Sequence, residues 1–287
     1  MDSQRDPKPS DLTHRLLAYG EHKAGNEHFA LVTSEELGSR LQITERQLVR
    51  LLARLAAQGR IQCLQRTLYL LPGKLPPGKA WKPSPYEALA SYMEWLGVKW
   101  QICGIAAFAR HGFSSQIPQT ISVYNNKISG KKVVADSAFE FIKIPTERLG
   151  FTSTDKTSSG KIIVYSSKAR AIFDAIFDQK HFSCLAEAYA WILQISKDNA
   201  TTRELIKCTV AHGNIQSAAR IGFILEKAGV NAAAVHKRMV TFKSSRLTTL
   251  VPGSRRGPIS KRWNIIENRR TEDIFALEEI PDDDDDT

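Results

Sequence analysis

The sequence predicts a mixed α/β fold that opens with a winged helix-turn-helix and continues as a two-lobed α/β remainder. Three observations lead there. Residues 33–71, TSEELGSRLQITERQLVRLLARLAAQGRIQCLQRTLYLL, order two short helices, a tight turn and two strands around a polar tip. The segment Pro72–Lys79, PGKLPPGK, is rich in residues that interrupt both helix and ladder. Beyond it, helical and strand periodicities are mixed until a long helical stretch takes over.

Residues 9–20 carry Leu12, Leu16, Leu17 and Tyr19 as the apolar side of a first helix, which packs under the winged segment. Thr33 and Ser34 cap the second helix, and Glu35 and Glu36 stand in its positively polarised first turn. Leu37 and Leu41 share one face. Thr44-Glu45-Arg46-Gln47 reads as a capping box, in which Thr44 and Gln47 each satisfy the other's free N–H. Leu48, Leu51, Leu52 and Leu55 then recur at helical spacing as the buried stripe of the third helix, and Gly59 stops it. Residues 61–64 and 67–70 are the wing strands, with Gln65-Arg66 at the tip.

The opposite face of that third helix holds Thr44, Arg46, Gln47, Arg50 and Arg54. Arginine pairs bidentately with guanine and glutamine with adenine in the major groove, while hydroxyls suit base edges or phosphate. Recognition helices read bases with their N-terminal residues, which selects Thr44, Arg46, Gln47 and Arg50. Arg54, Arg60 and Arg66 are placed for backbone phosphates. The expected partner is double-stranded DNA.

The remainder divides as residues 73–82 (linker), 83–180 (mixed α/β lobe), 181–270 (mainly helical lobe) and 271–287 (acidic disordered tail), after the winged domain at 1–72. In the second region, helices are expected at 85–96, 103–111 and 167–177, with strands at 120–124, 139–144 and 161–165 and a polar turn segment at 152–160. In the third region, helices are expected at 185–195, 201–210, 215–228 and 232–238. Strands at 247–251 and 261–266 would flank Pro252-Gly253-Ser254-Arg255-Arg256-Gly257-Pro258 and close the domain as a hairpin.

Charge is unevenly spread over a net +10. Residues 181–270 hold 15 basic against 5 acidic residues, whereas 271–287 hold 9 acidic and no basic ones. A basic body implies a polyanionic partner. Lys237, Arg238, Lys243, Arg246, Arg255, Arg256, Lys261 and Arg262, with Trp263 close by, form a second candidate surface for nucleic acid or a protein partner. The aspartates at 282–286 repel one another; such a tail either adds solubility only or screens that basic surface and competes with DNA.

Apolar content of 42% and charged content of 24% are those of a globular protein. No run approaches the roughly 18 apolar residues of a membrane helix, and the start, MDSQRDPKPSD, carries no apolar signal, so a cytoplasmic, nucleoid-associated protein with no membrane contact is expected. Cys63, Cys103, Cys184 and Cys208 are dispersed, without metal-ligand spacing. No P-loop, GxSxG, HExxH or Cys–His pair occurs, so no catalytic residue, cofactor or metal is expected.

Region two contains ICGIAAFARHGFSSQIPQTISVYN, and region three contains ARIGFILEKAG followed by LVPGSRRGPISKRWNIIEN. In this order, and behind a winged helix, they resemble the AbiEi-type antitoxins of bacterial abortive-infection toxin–antitoxin systems. The resemblance spans residues 10–268. His111-Gly112, Gln116-Ile117-Pro118 and Arg220-Ile221-Gly222-Phe223 are its most specific motifs. It implies that the winged domain binds inverted repeats in its own promoter and represses the operon. It implies too that the C-terminal portion counteracts a cognate nucleotidyltransferase-like toxin and aids cooperative DNA binding. Members are type IV antitoxins, which need not bind the toxin stably. The pentaspartate tail and the strongly basic third region depart from the plain pattern.

Other readings carry less of the sequence. Gly112 ends a helix and Pro118 sets up the next strand, without forming a site. Arg220 serves a phosphate or anchors its helix to a neighbour. A DNA-processing enzyme would recruit Asp136, Glu140 and Lys143, but Glu140 and Lys143 fall on opposite faces of a strand. A transcriptional regulator or interaction adaptor without antitoxin activity would keep the fold; an adaptor would favour a neutral face over Arg46, Gln47 and Arg50.

Overall fold

In the computed structural model of the protein, which describes residues 9–75, 80–242 and 246–276, the chain starts with helix α1 (Pro9–Ala24) and strand β1 (Phe29–Thr33). Thr33 ends β1 and caps α2 (Ser34–Leu41), its side chain accepting from the Glu36 N–H. Gln42 closes α2 in the left-handed region at φ 54°. Thr44 and Gln47 form the expected capping box of α3 (Glu45–Ala57). Gly59, at φ 63°, turns the chain into β2 (Gln62–Gln65), followed by β3 (Leu68–Pro72). These strands form a three-stranded sheet in the order β1-β3-β2, with Phe29 opposite Pro72 and Thr33 opposite Leu68. The leucine stripe of α3 is buried with Leu12 and Leu16 of α1, Leu37 and Leu41 of α2, and Ile61 and Leu71. Tyr19 and Lys23 of α1 both donate to the Glu36 carboxylate, which fastens α1 to α2. Burial pushes that carboxyl up, but the bonds from Lys23 and Tyr19 outweigh it, so Glu36 titrates below the usual glutamate range.

After the linker, whose residues 76–79 lie outside the described ones, Trp81 donates its N–H to the Gly59 carbonyl at 2.7 Å. Ser84 and Glu87 make a capping box for α4 (Pro85–Leu96). Then come β4 (Trp100–Cys103), α5 (Ile105–Arg110), β5 (Thr120–Asn125), β6 (Gly130–Val134), β7 (Ser137–Lys143), a single 3₁₀ turn at Thr146–Arg148, β8 (Thr152–Lys156), β9 (Ile162–Ser166) and α6 (Lys168–Phe177). Six of these strands form one sheet in the order β6-β7-β5-β4-β9-β8. The β6–β7 turn at Ala135-Asp136 takes two positive φ angles, 50° and 65°, the geometry that lets a tight hairpin follow strand twist. Three expectations change here. The helix expected from Cys103 starts at Ile105, because Cys103 ends β4. The polar segment 152–160 is largely β8, an edge strand whose half-exposed alternation suits polar side chains. Strand β6 had no counterpart in the sequence reading.

The chain continues as α7 (Gln179–Phe182), α8 (Leu185–Ile195), α9 (Asn199–His212), α10 (Ile215–Lys227) and α11 (Ala232–Arg238). It ends with β10 (Thr248–Thr249), β11 (Ile259–Ser260), β12 (Ile265–Ile266) and α12 (Thr271–Phe275). The expected hairpin between 247–251 and 261–266 is corrected. β10 runs parallel to β12, and the antiparallel partner of β12 is β11. The loop from Pro252 to Pro258 is too long for a tight turn, and Gly257 is seated against the Glu267 carbonyl, where a Cβ would come within 2.3 Å. The disordered tail is also corrected at its start. Residues 271–275 are helical, and Thr271 and Ile274 are buried. The acidic remainder, 277–287, lies outside the described residues.

Residue packing divides the chain into two compact units that interleave in sequence. One comprises Met1–Trp100, Asn125–Lys143 and Thr154–Ile163, the other Gln101–Tyr124, Ile144–Ser153 and Val164–Thr287. The core of the second unit is built on α6, α8, α9 and α10, with Ile172, Phe173, Tyr189, Ile192, Leu205, Ile221 and Ile224 all buried.

Candidate nucleic-acid interface

Helix α3 presents its polar residues in a graded way. Arg46 and Arg50, one turn apart, are both exposed. Thr44 and Gln47 are engaged in starting the helix. The Gln47 Oε1 accepts from the Thr44 N–H at 3.0 Å and from the Thr44 hydroxyl at 3.0 Å, while Thr44 Oγ1 accepts from the Gln47 N–H at 3.3 Å. Arg54 turns toward α1, where it donates to the Thr13 hydroxyl at 2.9 Å. Arg60 lies beyond the helix end in a recess lined by Thr13, His14, Leu17 and Glu21 of α1. Arg66 is exposed in the β2–β3 turn. The structure therefore separates the seven residues into an outward pair, Arg46 and Arg50, a capping pair, two arginines on the α1 side, and Arg66 on the hairpin.

Between α3 and the β2–β3 hairpin runs an open groove of about 700 Å³. Its helix wall is Glu45, Val49, Leu52, Ala53 and Ala56, and its hairpin wall is Cys63, Arg66, Thr67 and Tyr69. Val49, which sequence reasoning passed over, is 58% exposed. Its position outside the leucine stripe was the available signal. Burial raises the Cys63 thiol, and it raises Cys184 to about 12, so both stay protonated at neutral pH.

The basic set of the third region is less unified than its sequence suggests. Lys237 and Arg238 are exposed in the last turn of α11. Arg256 and Lys261 are exposed as well. Arg255 donates to the Leu247 carbonyl at 3.1 Å, and Arg262 pairs with Glu226 at 2.7 Å. Arg246 lines a small recess with His236, Arg262 and Trp263. Lys243 lies outside the described residues. Trp263 is part of the packing: its ring covers Gly222 on α10 and its Nε1 donates to Glu226. Arg220 is buried and joins α10 to the Thr249 carbonyl and to Gln179, so it anchors helices.

One polar cluster escaped the sequence reading. Arg170 and Asp174 on α6 are both buried and meet at 2.7 Å. Arg170 also donates to the Arg148 carbonyl at 2.8 Å, and the Ser166 hydroxyl donates to Asp174 at 3.3 Å. Burial works against the charged guanidinium, and Asp174 outweighs it, so Arg170 stays protonated. Nearby, burial and then Arg170 and Arg148 lower His212 to about 4. The His212 Nε2 is buried without a hydrogen-bond partner. Chemically this cluster clamps the β7–β8 connection to α6; its ion pair and hydrogen bonds are internal. Among the described residues no group of three or more His, Cys, Asp or Glu side chains is placed to hold a metal, and no helix is long and apolar enough to cross a membrane.

Comparison with solved structures finds a similar fold in the crystal structure of the RV2827C protein from Mycobacterium tuberculosis. The TM-score is 0.63 at 14% identity, over 96% of this chain and 96% of that one. At this identity the likeness is one of fold, and it extends over nearly the whole chain. No protein-family model and no curated protein matches the sequence.

Proposed function

We propose that the chain is a DNA-binding antitoxin that represses its own toxin–antitoxin operon and counteracts a cognate nucleotidyltransferase-like toxin. In this reading α1 to β3 is a winged helix-turn-helix, with α3 in the major groove and β2–β3 as the wing. The observation that carries it is the pair Arg46 and Arg50, exposed one turn apart on a capped helix beside a β-hairpin. Each can meet guanine N7 and O6 bidentately. With the Gln47 carbonyl oxygen engaged in the capping box, these arginines take the larger share of base reading. Arg66 is suited to a phosphate contact from the wing, while Arg54, bonded to α1, orients α3. The partner is double-stranded DNA carrying inverted repeats. The antitoxin role rests on the ordered motifs around His111-Gly112 and Arg220-Ile221-Gly222-Phe223 and on their resemblance to abortive-infection antitoxins. The proposed setting is the nucleoid, with no cofactor.

A reporter driven by the DNA upstream of the chain's own gene tests the first half. Expression of the chain should lower transcription, and Arg46→Ala/Arg50→Ala should restore it with the protein still folded. Coexpression with the neighbouring gene tests the second half, with relief of growth arrest expected. Unchanged transcription in the first experiment would refute the repressor role, and persistent arrest in the second would refute the antitoxin role.

A further inference from the structure

Val49 is an exposed β-branched residue in the middle of α3, 58% open to solvent. The buried stripe of Leu48, Leu51, Leu52 and Leu55 is complete without it. A valine at an open helix position gives up rotamer freedom that alanine or lysine would not. Such a local inconsistency falls most often at a functional position.

Its surroundings say what that function is. At about 100° per residue, Arg46, Val49, Arg50 and Ala53 lie on one arc of α3. Val49 and Ala53 stand on the groove side, across from Arg66 and Thr67, and Arg50 stands toward the side on which Arg54 meets α1. The arc thus runs from apolar to cationic across one helix face. Glu35 of α2 and Glu45 at the start of α3 also line the groove and disfavour backbone phosphate there, which suits the apolar stretch at Val49 and Ala53 to an uncharged base edge. In the major groove, thymine alone among the four bases presents a methyl group, and guanine presents two acceptors.

We infer that Val49, backed by Ala53, reads the C5-methyl of a thymine that lies beside the base met by Arg46 or Arg50. This deepens, and rests on, the DNA-binding reading above. The target sequence accordingly carries thymine at a fixed offset from guanine in each half-site.

The test uses the full chain and duplexes that it selects from a random-sequence pool. Replacing thymines by deoxyuridine one at a time removes only the methyl. At one thymine per half-site the affinity should fall about fourfold, the value of one methyl group withdrawn from water. Val49→Ala should bind the thymine duplex weaker by a similar factor and no longer distinguish deoxyuridine at that position. Val49→Thr, which keeps one methyl, should fall between. Arg50→Ala should weaken binding yet preserve the thymine-to-deoxyuridine ratio. Circular dichroism should show the Val49 variants as helical as the parent. Specific binding with no sensitive thymine, or undiminished sensitivity in Val49→Ala, overturns this inference and leaves DNA binding standing. A selection that yields no common sequence overturns both.

Discussion

Gly222 is the position at which one added carbon has the most to say about the second unit. A Cβ there would lie 2.1 Å from Trp263 Cζ3, 2.4 Å from Cη2 and 2.5 Å from Cε3. Ordinary carbon contacts are about 3.5–4.0 Å, so in Gly222→Ala the ring must retreat by roughly 1.5 Å. It has little room to do so. The indole Nε1 donates to Glu226, one turn further along α10, and the His236 ring meets it edge-on at 5.4 Å. Weakening that hydrogen bond costs about 1 kcal/mol. Losing part of the ring's packing costs about 2 kcal/mol, a fraction of what removing a buried tryptophan does. Alanine returns about 1 kcal/mol of helix propensity. The net expectation is a loss of about 2 kcal/mol, within the usual range for overpacking. Guanidinium unfolding of the full chain, followed by circular dichroism, reads this directly. Repeating it in a Trp263→Leu background isolates the clash, because there the alanine should be neutral or stabilising. If Gly222→Ala stabilises the chain with Trp263 present, the account of this contact is wrong.

Two further outcomes follow from the structure, and a third from the proposed function. Asp174→Ala strands the buried Arg170 guanidinium and should destabilise the chain by about 3–5 kcal/mol, while Arg170→Met/Asp174→Leu should be far milder; equal losses in urea unfolding would contradict the clamp. His212 has a folded pKa of about 4, below its usual 6.5, so between these values the unfolded state binds a proton that the folded state does not. Stability should therefore be full above pH 6.5 and decline as pH falls toward 4, and His212→Gln should flatten that decline in unfolding midpoints. Deleting residues 281–287 removes the five aspartates at 282–286 and should raise DNA affinity at low salt, with the difference shrinking as salt is added; unchanged affinity at fixed salt would dismiss the screening role.

The parts of the fold that sequence made legible are those whose signals are local. The Thr44–Gln47 capping box, the leucine spacing of α3 and the stop at Gly59 located that helix to within a residue or two. The short helix expected at 232–238 is present as α11, and the structure adds its cap, the Asn231 side chain accepting from the Ala234 N–H. Strand β1 was missed because Phe29-Ala30-Leu31-Val32 is a continuous apolar run with no alternation, and its pairing with β3 spans a separation of some forty residues that no local pattern reveals. The β10 and β12 segments are two residues each, and their parallel pairing depends on what the intervening loop does. The same division holds for the candidate interface. Arg46 and Arg50 follow from helical phase alone. That Arg54 reaches Thr13 and that Arg262 is matched by Glu226 are contacts of geometry. Arg170 and Asp174, four residues apart, have the spacing of a solvated surface pair, and only packing against α9 and the β7–β8 connection makes them a buried one.

The central claim is that α3 reads a DNA sequence through Arg46 and Arg50. Footprinting the purified full chain on the DNA upstream of its own gene, at a stated salt concentration, tests it most directly. The account predicts protection of an inverted repeat that disappears in Arg46→Ala/Arg50→Ala while the unfolding midpoint is unchanged. Protection that survives the double substitution, or no sequence-specific protection at all, would contradict it.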